Sequence, residues 1–113
     1  FHSPLLSAAA EEFAAYLEDL EFKDPRIPLC SNVSAAGVRT GEEARRLCVN
    51  QITSPVRWTA EEAFILAQQP DICVETGPGS VLSGLWKAFT DQVPCRTAGT
   101  AEEIEQIRQG GLY

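Results

Sequence analysis

The sequence predicts an α/β fold in which short parallel strands are covered by packed helices. Stretches with apolar residues at helical spacing alternate with short, mostly apolar runs along the 113 residues. The run 72–75 is typical of a strand that is covered on both faces. Ser-Pro pairs and Thr-x-x-Glu boxes stand where the helices are expected to begin, which supports this division of the chain.

The first helix is predicted to begin at Ser3 and Pro4, because serine is a favoured N-cap and proline suits the first helical position. It is expected to end near 23–25, where another proline stands. A short strand is expected to follow over 26–31. The residues that recur at helical spacing predict the buried face of this helix: Leu5, Ala9, Phe13, Leu17 and Leu20.

Two more helices are predicted between the first strand and the second. A loop over 32–41 leads to Thr40 and Glu43, which form a capping box for the second helix. Ser54 and Pro55 repeat the Ser-Pro start and predict a third helix. The apolar residues at helical spacing predict one buried face for each helix: Ala44, Leu47, Cys48 and Ile52, then Val56, Ala60, Ala63, Phe64 and Ala67.

The second half of the chain predicts a β-α-β unit and a last helix. After the strand 72–75, a glycine-containing turn over 76–80 leads into an apolar helix. The segment 93–97 is expected to be an edge strand, because Pro94 lacks the amide hydrogen that a central strand needs. The last helix is defined by a second capping box, two inward side chains and two closing glycines: Thr100 and Glu103, Ile104 and Ile107, Gly110 and Gly111.

The composition is that of a globular domain and argues against several classes of function. Apolar residues make up 44% of the chain and charged residues 22%. The net charge of −7 argues against a nucleic-acid surface, which needs clustered lysine and arginine. No apolar run reaches the length of a membrane span, and no basic segment followed by an apolar one marks a signal peptide.

The four cysteines predict free thiols in a reducing compartment. Cys30, Cys48, Cys73 and Cys95 are far apart in the sequence and have apolar neighbours. Buried free thiols are therefore the expectation, and with them a cytoplasmic location. A metal site is not expected, because no two of the thiols are close in sequence and the chain has one histidine.

His2 is that single histidine and the main candidate for chemistry. Imidazole is the usual acid–base group near neutral pH. Taken alone, the residue has three interpretations that stay open: a surface residue near a chain end, a helix-capping group or a general base. The sequence contains no Gly-x-Ser-x-Gly segment that would supply a nucleophile for such a base.

Four segments, in a fixed order, resemble the malonyl-CoA:acyl carrier protein transacylases of bacterial fatty acid synthesis. The first, Phe-His-Ser-Pro-Leu-Leu at 1–6, resembles the segment that carries the catalytic histidine of that family. The others are Pro-Leu-Cys-Ser-Asn-Val at 28–33, Gln51 with Ser-Pro-Val-Arg-Trp at 54–58, and the strand-to-turn-to-helix segment at 75–85. The resemblance therefore extends over most of the chain.

The resemblance implies the C-terminal part of an α/β-hydrolase-like core. Members of the family have a large α/β subdomain and a small ferredoxin-like insert. Their nucleophilic serine and a carboxylate-binding arginine precede that insert. Residues 1–113 would be the C-terminal portion of the large subdomain. The nucleophile half and the insert would belong to an N-terminal remainder of the same enzyme, which would act as the partner of this segment.

The resemblance also implies an activity and its residues. The family transfers a malonyl group from malonyl-CoA to the phosphopantetheine thiol of acyl carrier protein in fatty acid biosynthesis. His2 would be the general base and acid, the backbone carbonyl of Gln51 would accept its hydrogen bond, and Asn32 would line the same pocket. The resemblance implies a monomeric cytoplasmic enzyme with acyl carrier protein as partner and no cofactor. The 113-residue segment alone is expected to be inactive.

These residues also have structural interpretations, and two other functions stay open. Gln51 can simply end its helix, Asn32 can be a turn former, and the turn 76–80 can either hold an anion or let a helix approach the sheet. Trp58 and Trp86 are expected in the core. The alternative functions are an acyltransferase domain of a polyketide synthase and a non-catalytic interaction module.

Overall fold

The computed structural model describes residues 2–110, and the chain divides by its internal contacts into two units, Phe1–Phe64 and Ile65–Tyr113. The described residues form five α-helices and four strands, which confirms the predicted α/β class. In chain order, after a short 3-10 turn at Pro4–Leu6, the elements are α1 (Ser7–Leu17), β1 (Leu29–Cys30), β2 (Gly37–Val38), α2 (Gly41–Asn50), α3 (Trp58–Ala67), β3 (Cys73–Thr76), α4 (Val81–Phe89), β4 (Cys95–Ala98) and α5 (Ala101–Arg108).

The start of the first helical segment agrees with the prediction. Ser3 is the N-cap, its hydroxyl accepts a hydrogen bond from the amide of Leu5 at 3.3 Å, and Pro4 stands in the first turn. The predicted apolar face is only partly correct. Leu17 is buried, but the other buried residue of α1 is Ala10, and the side chain of Leu5 is 92% exposed.

α1 ends at Leu17, and the predicted end near 23–25 is wrong because the segment that follows caps another helix. Asp24 Oδ1 accepts a hydrogen bond of 2.8 Å from the amide of Gly41, the first residue of α2. The carbonyl of Phe22 packs so close to this glycine that an added Cβ would stand 1.8 Å from the oxygen. These contacts hold the segment against the start of α2, so it cannot continue α1.

β1 and β2 form an antiparallel hairpin, which the sequence prediction missed. The predicted strand 26–31 is reduced to two residues, and the predicted loop 32–41 contains β2. Pro28, directly before β1, has no amide hydrogen to extend the ladder. The hairpin is closed by a hydrogen bond of 3.1 Å from the amide of Ser31 to the carbonyl of Ala36. This turn fixes the residues that follow β1.

α2 begins at the predicted capping box, although only half of the box is formed. The hydroxyl of Thr40 accepts a hydrogen bond of 3.1 Å from the amide of Glu43. The carboxylate of Glu43 accepts its own hydrogen bond, of 2.9 Å, from the amide of Arg39 rather than from Thr40. Leu47 is buried as predicted. The start of α2 is therefore fixed by side-chain caps.

α3 begins at Trp58, and the predicted start at the Ser-Pro pair 54–55 is wrong. The amide of Arg57 donates a hydrogen bond of 3.0 Å to the carbonyl of Asn32. This long-range bond ties the residues before α3 to the end of β1 and keeps them out of the helix. Tertiary contact has overridden a local helix-start pattern here.

β3 and β4 are parallel neighbours, as predicted. Their register runs from Cys73 paired with Cys95 to Thr76 paired with Ala98. Pro94 lies just before β4, and its carbonyl accepts a hydrogen bond of 2.9 Å from the amide of Cys73. Because α4 joins the two strands, the second unit contains the predicted β-α-β crossover.

Trp86 belongs to the core of the second unit, as predicted. Its side chain is 3% exposed, and its Nε1 donates a hydrogen bond of 2.8 Å to the carbonyl of Val93. This bond attaches α4 to the segment before β4. Trp58 is only half-buried, and its buried Nε1 has no hydrogen-bond partner within residues 2–110. The expectation of a core position is therefore confirmed for Trp86 and only partly met for Trp58.

α5 begins with a complete capping box, as predicted. The hydroxyl of Thr100 accepts a hydrogen bond of 3.2 Å from the amide of Glu103, and Glu103 Oε2 accepts one of 2.9 Å from the amide of Thr100. The same carboxylate also accepts hydrogen bonds from the amide of Gly99 and the hydroxyl of Thr97. One carboxylate thus joins β4 to α5.

The apolar side chains of α5 are less covered than the sequence predicted. Ile104 is 48% exposed, so its expected inward position is wrong, and Ile107 is half-buried. Gly110 has a left-handed φ of 84° directly after the helix, and Gly111 lies outside the described residues. Exposed large apolar side chains occur in both units: Leu5, Tyr16, Leu20, Ile27, Leu29, Val56, Val74, Val81, Leu82, Leu85, Phe89 and Ile104.

Replacing Thr100 by alanine is expected to lower the free energy of unfolding by about 1 kcal/mol, because the amide of Glu103 loses its N-cap acceptor. Urea denaturation followed by circular dichroism measures the change. The matched control is Thr59→Ala, at an exposed threonine inside α3, for which a change within about 0.5 kcal/mol is expected. An equal loss in both variants would contradict the capping role.

Candidate active site

His2 is held by a hydrogen bond to the backbone at the end of α2. Its Nδ1 lies 2.7 Å from the carbonyl oxygen of Gln51. The next residue, Ser3, donates its amide to the carbonyl of Ile52 at 3.2 Å, so two consecutive bonds fix this part of the chain to the same place. His2 has a φ of 60°, in the left-handed region that non-glycine residues rarely adopt. Such strained residues occur preferentially at functional sites.

The contact with Gln51 determines the tautomer of the imidazole ring. A carbonyl oxygen can only accept a hydrogen bond, so Nδ1 of His2 carries the proton in this contact. In the neutral ring the basic lone pair is then on Nε2. The arrangement presents Nε2 as the atom that can accept a proton from another group.

Gln51 also links His2 to Asn32. The backbone amide of Gln51 donates to the carbonyl of Leu47 at 3.0 Å, so the residue is the C-cap of α2, as its structural interpretation requires. Its side-chain Oε1 accepts a hydrogen bond of 3.4 Å from Nδ2 of Asn32. Asn32 follows β1, and its carbonyl is held by the amide of Arg57. The structure therefore brings the three predicted site residues together.

These three residues line a cavity of about 690 Å³ in the first unit. Its volume lies within the range of roughly 300–1,000 Å³ that is usual for small-molecule sites. The remaining lining comes from the 3-10 turn, α1, α2 and the residue after the C-cap of α2: Leu6, Ala9, Phe13, Cys48 and Ile52. Cys48 was predicted only as a buried helix residue. Its position three residues before Gln51 is the sequence signal that places it on this wall.

α3 buries two carboxylates where the sequence predicted an apolar face. Glu61 and Glu62 are 5% and 4% exposed, whereas Val56, Ala63 and Ala67 are exposed. Each glutamate has a buried Oε1 without a hydrogen-bond partner within residues 2–110. The buried face of α3 therefore includes two carboxyl groups that the apolar spacing did not predict.

Glu61 acts electrostatically on a neighbouring thiol. Desolvation raises the pKa of the Glu61 carboxyl. Burial, and in second place the charge of Glu61, raise the pKa of the Cys30 thiol. Neither residue lines the cavity at His2. Burial and the charge of Glu61 together keep Cys30 in its protonated, weakly nucleophilic form.

The turn 76–80 is a packing device, and its helix N-terminus is already occupied by a carboxylate of the chain itself. Glu75 accepts hydrogen bonds from the amides of Leu82 and Ser83 at 3.0 and 2.8 Å. The backbone of Gly99 approaches so closely that an added Cβ would stand 2.3 Å from the carbonyl oxygen of Gly77. Of the two interpretations of this turn, the contacts favour close packing over binding of an external anion.

The described part of the chain shows neither a metal-binding cluster nor a membrane-spanning helix. Within residues 2–110, no group of three or more His, Cys, Asp or Glu side chains could hold a metal ion. None of the helices in that range has the length and apolar character needed to cross a membrane. The four cysteines are free but only half-buried, which differs from the full burial that was expected: Cys30, Cys48, Cys73 and Cys95.

Comparisons with known proteins point to one enzyme family. No protein-family model matches the chain. Curated relatives named malonyl CoA-acyl carrier protein transacylase include one from Staphylococcus aureus, 33% identical over 105 residues, which covers 93% of this chain and 34% of the relative. Another, from Bacillus subtilis, is 31% identical over 107 residues and covers 95% and 27%. The chain thus spans between about a quarter and a third of the length of these relatives.

Solved structures give the same result. An acyl-carrier-protein S-malonyltransferase from Bartonella henselae is 34% identical, with a TM-score of 0.87 over 97% of this chain and 35% of its own. A malonyl-transacylase in complex with a type II polyketide acyl carrier protein is 31% identical, with a TM-score of 0.86 over 96% and 35%. The fold of this chain therefore matches that of about a third of each of these two transacylase structures. The predicted resemblance to the malonyl CoA-acyl carrier protein transacylases is confirmed over nearly the whole chain.

The tautomer of His2 can be measured directly, because it is the only histidine in the chain. Heteronuclear nitrogen NMR, at a pH where the ring is neutral, is expected to show the Nδ1-protonated tautomer as the main form. The control is the same chain in concentrated urea, where the contact with Gln51 is lost and this preference should disappear. A folded chain with mainly Nε2-protonated imidazole would contradict the geometry.

Glu75 is expected to make the second unit less stable as the pH becomes acidic. Its hydrogen bonds, first of all the one from the amide of Ser83, lower the pKa of its carboxyl. A lowered folded-state pKa gives stability that is present above the ordinary carboxyl pKa of about 4.3 and is lost as pH falls through the folded value. Glu75→Gln should therefore remove part of the acid-dependent loss of stability, measured by urea denaturation between about pH 7 and pH 3.

The matched control for this measurement is Glu12→Gln, which removes the charge of an exposed glutamate on α1. This variant should keep the pH dependence of the parent chain. If the free energy of unfolding depends on pH in the same way in Glu75→Gln and in the parent, the carboxylate that caps α4 contributes nothing to the loss of stability in acid.

Proposed function

We propose that the enzyme to which this segment belongs transfers a malonyl group from malonyl-CoA to the phosphopantetheine thiol of acyl carrier protein, as in fatty acid biosynthesis. The observation that carries the proposal is the 2.7 Å contact between Nδ1 of His2 and the carbonyl of Gln51, at the wall of a cavity that Asn32 also lines. This contact prepares an imidazole for general-base work in a chain that is similar to malonyl transacylases over nearly all its length.

In this proposal residues 1–113 are the C-terminal portion of the large acyltransferase subdomain. The sequence holds no Gly-x-Ser-x-Gly segment, so the nucleophilic serine and the small insert belong to an N-terminal remainder of the enzyme. The relatives are about three times as long as the matched region, which leaves length for both parts. The segment alone is accordingly proposed to be inactive.

The first half-reaction forms a seryl ester. Nε2 of His2 accepts the proton of the serine hydroxyl while the serine oxygen attacks the carbonyl carbon of the malonyl thioester. The imidazolium then gives this proton to the sulfur of coenzyme A as the carbon–sulfur bond breaks. The products are malonyl-serine, free coenzyme A and a neutral imidazole, ready for the second half-reaction.

The second half-reaction reverses these roles with a new thiol. Nε2 of His2 accepts the proton of the phosphopantetheine thiol, and the sulfur attacks the carbonyl carbon of the seryl ester. The same proton returns to the serine oxygen as the ester bond breaks. A positioned base of this kind typically accelerates such a step by about 10²–10⁴-fold.

A backbone carbonyl orients the base in place of the carboxylate of a Ser-His-Asp triad. Gln51 is the C-cap of α2, where the last carbonyls lack partners inside the helix and form the negative end of its dipole. The carbonyl of Gln51 can keep the hydrogen bond when the ring becomes an imidazolium, because Nδ1 carries a proton in both forms. A carboxylate would stabilise the cation more, but a thioester is an activated substrate and needs less assistance.

The partner proposed for the complete enzyme is acyl carrier protein. One similar solved structure is described as a malonyl-transacylase in complex with a type II polyketide acyl carrier protein, which supports a carrier protein as the acceptor. That description also favours a second candidate function, in which the same transfer serves polyketide synthesis. We further propose that the enzyme is a cytoplasmic monomer and that it uses no bound cofactor.

Replacing His2 by alanine in the complete enzyme is expected to lower kcat/KM for malonyl transfer by about 10²–10⁴-fold, because the proton acceptor is lost. Asn32→Ala should lower kcat/KM by about tenfold or less. It removes one hydrogen bond to the side chain of Gln51, and such a bond contributes roughly 0.5–1.5 kcal/mol. The assay follows radiolabelled malonyl-CoA into acyl carrier protein.

The matched control for Asn32 is Asn50→Ala, on the residue next to Gln51 but outside the lining of the cavity. This variant should transfer malonyl at the parent rate. An acid-stable malonyl label on the complete enzyme supports acyl transfer. Full activity of His2→Ala would remove the histidine from the mechanism, and the absence of any label would favour a non-catalytic interaction module.

A further inference from the structure

Two cysteines that are distant in the sequence are direct neighbours in the second unit. Cys73 is the first residue of β3 and Cys95 the first of β4, and the parallel register pairs them. Neighbouring strands lie about 4.8 Å apart, and the side chains of paired residues leave the same face of the sheet. The two thiols therefore lie side by side. Both are half-buried and free.

The electrostatics of the pair agree with this proximity. Burial raises the pKa of the Cys73 thiol, and the neighbouring Cys95 raises it further. The pKa of the Cys95 thiol is raised by burial and then by the charge of Glu75, which lies two residues after Cys73 on the same strand. Both thiols are therefore mainly protonated near neutral pH, and each must lose its proton before it can attack a disulfide.

We propose that Cys73 and Cys95 form a reversible redox modification site, at which small-molecule disulfides such as oxidised glutathione convert the two thiols into one cross-strand disulfide. Disulfides in cytosolic proteins are usually transient and serve catalysis or redox sensing. The sheet register brings the two thiols together for that behaviour, and neither cysteine lines the cavity at His2.

The oxidation balances with one equivalent of oxidised glutathione. One cysteine loses its proton, and its thiolate attacks a sulfur of oxidised glutathione, which forms a mixed disulfide and releases one glutathione thiolate. The second cysteine loses its proton and attacks the protein sulfur of the mixed disulfide, which releases the second glutathione thiolate. The two released thiolates take up the two protons, and the protein loses two hydrogen atoms.

The strand spacing makes the bond possible but strained. A Cα separation of about 4.8 Å is within the range of roughly 4.4–6.8 Å found for disulfides. The Cβ atoms of a paired position are about one strand spacing apart, which exceeds the mean of about 3.8 Å in disulfides. The two Cβ atoms must therefore move closer together for the bond to form. Because Cys73 and Cys95 are the first residues of their strands, this movement is needed only at the strand ends. Strained disulfides are more easily reduced, so the site should be reversible.

The experiment incubates the full chain with oxidised glutathione, blocks remaining thiols with iodoacetamide and analyses tryptic peptides without reduction. Each cysteine lies on its own tryptic peptide: 27–39, 47–57, 58–87 and 88–96. The expected main product is a linked pair of peptides 58–87 and 88–96 from a chain that has lost two hydrogen atoms. Dithiothreitol should separate this pair completely.

Variants and a denatured control test the role of the sheet register. Cys95→Ser should abolish the link and leave Cys73 as a mixed disulfide with glutathione, whereas a Cys30→Ser, Cys48→Ser double variant should keep the link. When the oxidation is carried out in concentrated urea, the four cysteines should form disulfides in several different pairings. The proposal is overturned by separate glutathione adducts without a link, by a comparable yield of 27–39 joined to 47–57, by products that join two chains only, or by the same pairing preference in urea.

Discussion

The hydrogen bond between the imidazole of His2 and the carbonyl of Gln51 depends on the place where α2 ends. A helix leaves its last carbonyls without partners inside the helix. The C-cap therefore offers a backbone acceptor in a fixed position, and no side chain is needed to supply it. The start of α2 is fixed by Asp24 and Thr40, and its length then sets the position of the final carbonyl. The orientation of the candidate base is thus a consequence of helix capping at the opposite end.

Three glutamates accept hydrogen bonds from backbone amides near the starts of helices, and their role is structural. Glu75 binds the first amides of α4, Glu103 binds the amides before α5, and Glu43 binds the amide of Arg39. Each carboxylate neutralises donors at the start of a helix, where the dipole favours negative charge. These acids stabilise local structure and are not arranged around a reaction centre. They are therefore not candidates for the proton transfer proposed at His2.

The sequence was a good guide where a structural choice is local. The box at Thr100 and Glu103 formed as predicted because both partners lie within one turn of helix. The Ser-Pro pair at 54–55 was misleading, since the amide of Arg57 bonds to Asn32, far away in sequence. The end of α1 failed for the same reason, because Asp24 caps a helix that begins seventeen residues later. Long-range hydrogen bonds decided both boundaries.

The candidate site divides in the same way. The resemblance of short segments to a known family pointed to His2, Gln51 and Asn32, because such motifs keep residue type and order. The spacing of Cys48, three residues before Gln51, puts both residues on one face of a helix, but the spacing of Glu61 gave no sign of its burial, which depends on the face of α3 that meets the rest of the unit. A helix pattern predicts that a face is buried, but not what lies against it.

By itself the sequence determined the α/β class, the helix starts that are capped within one turn, and the identity of the candidate base. These features arise from neighbours along the chain, whose hydrogen bonds and apolar spacing are written in residue order. Only the tertiary structure decided that Nδ1 of His2 donates to Gln51, and that Cys73 lies beside Cys95. Both pairings join residues more than twenty positions apart, and the register of strands and the packing of helices set such contacts.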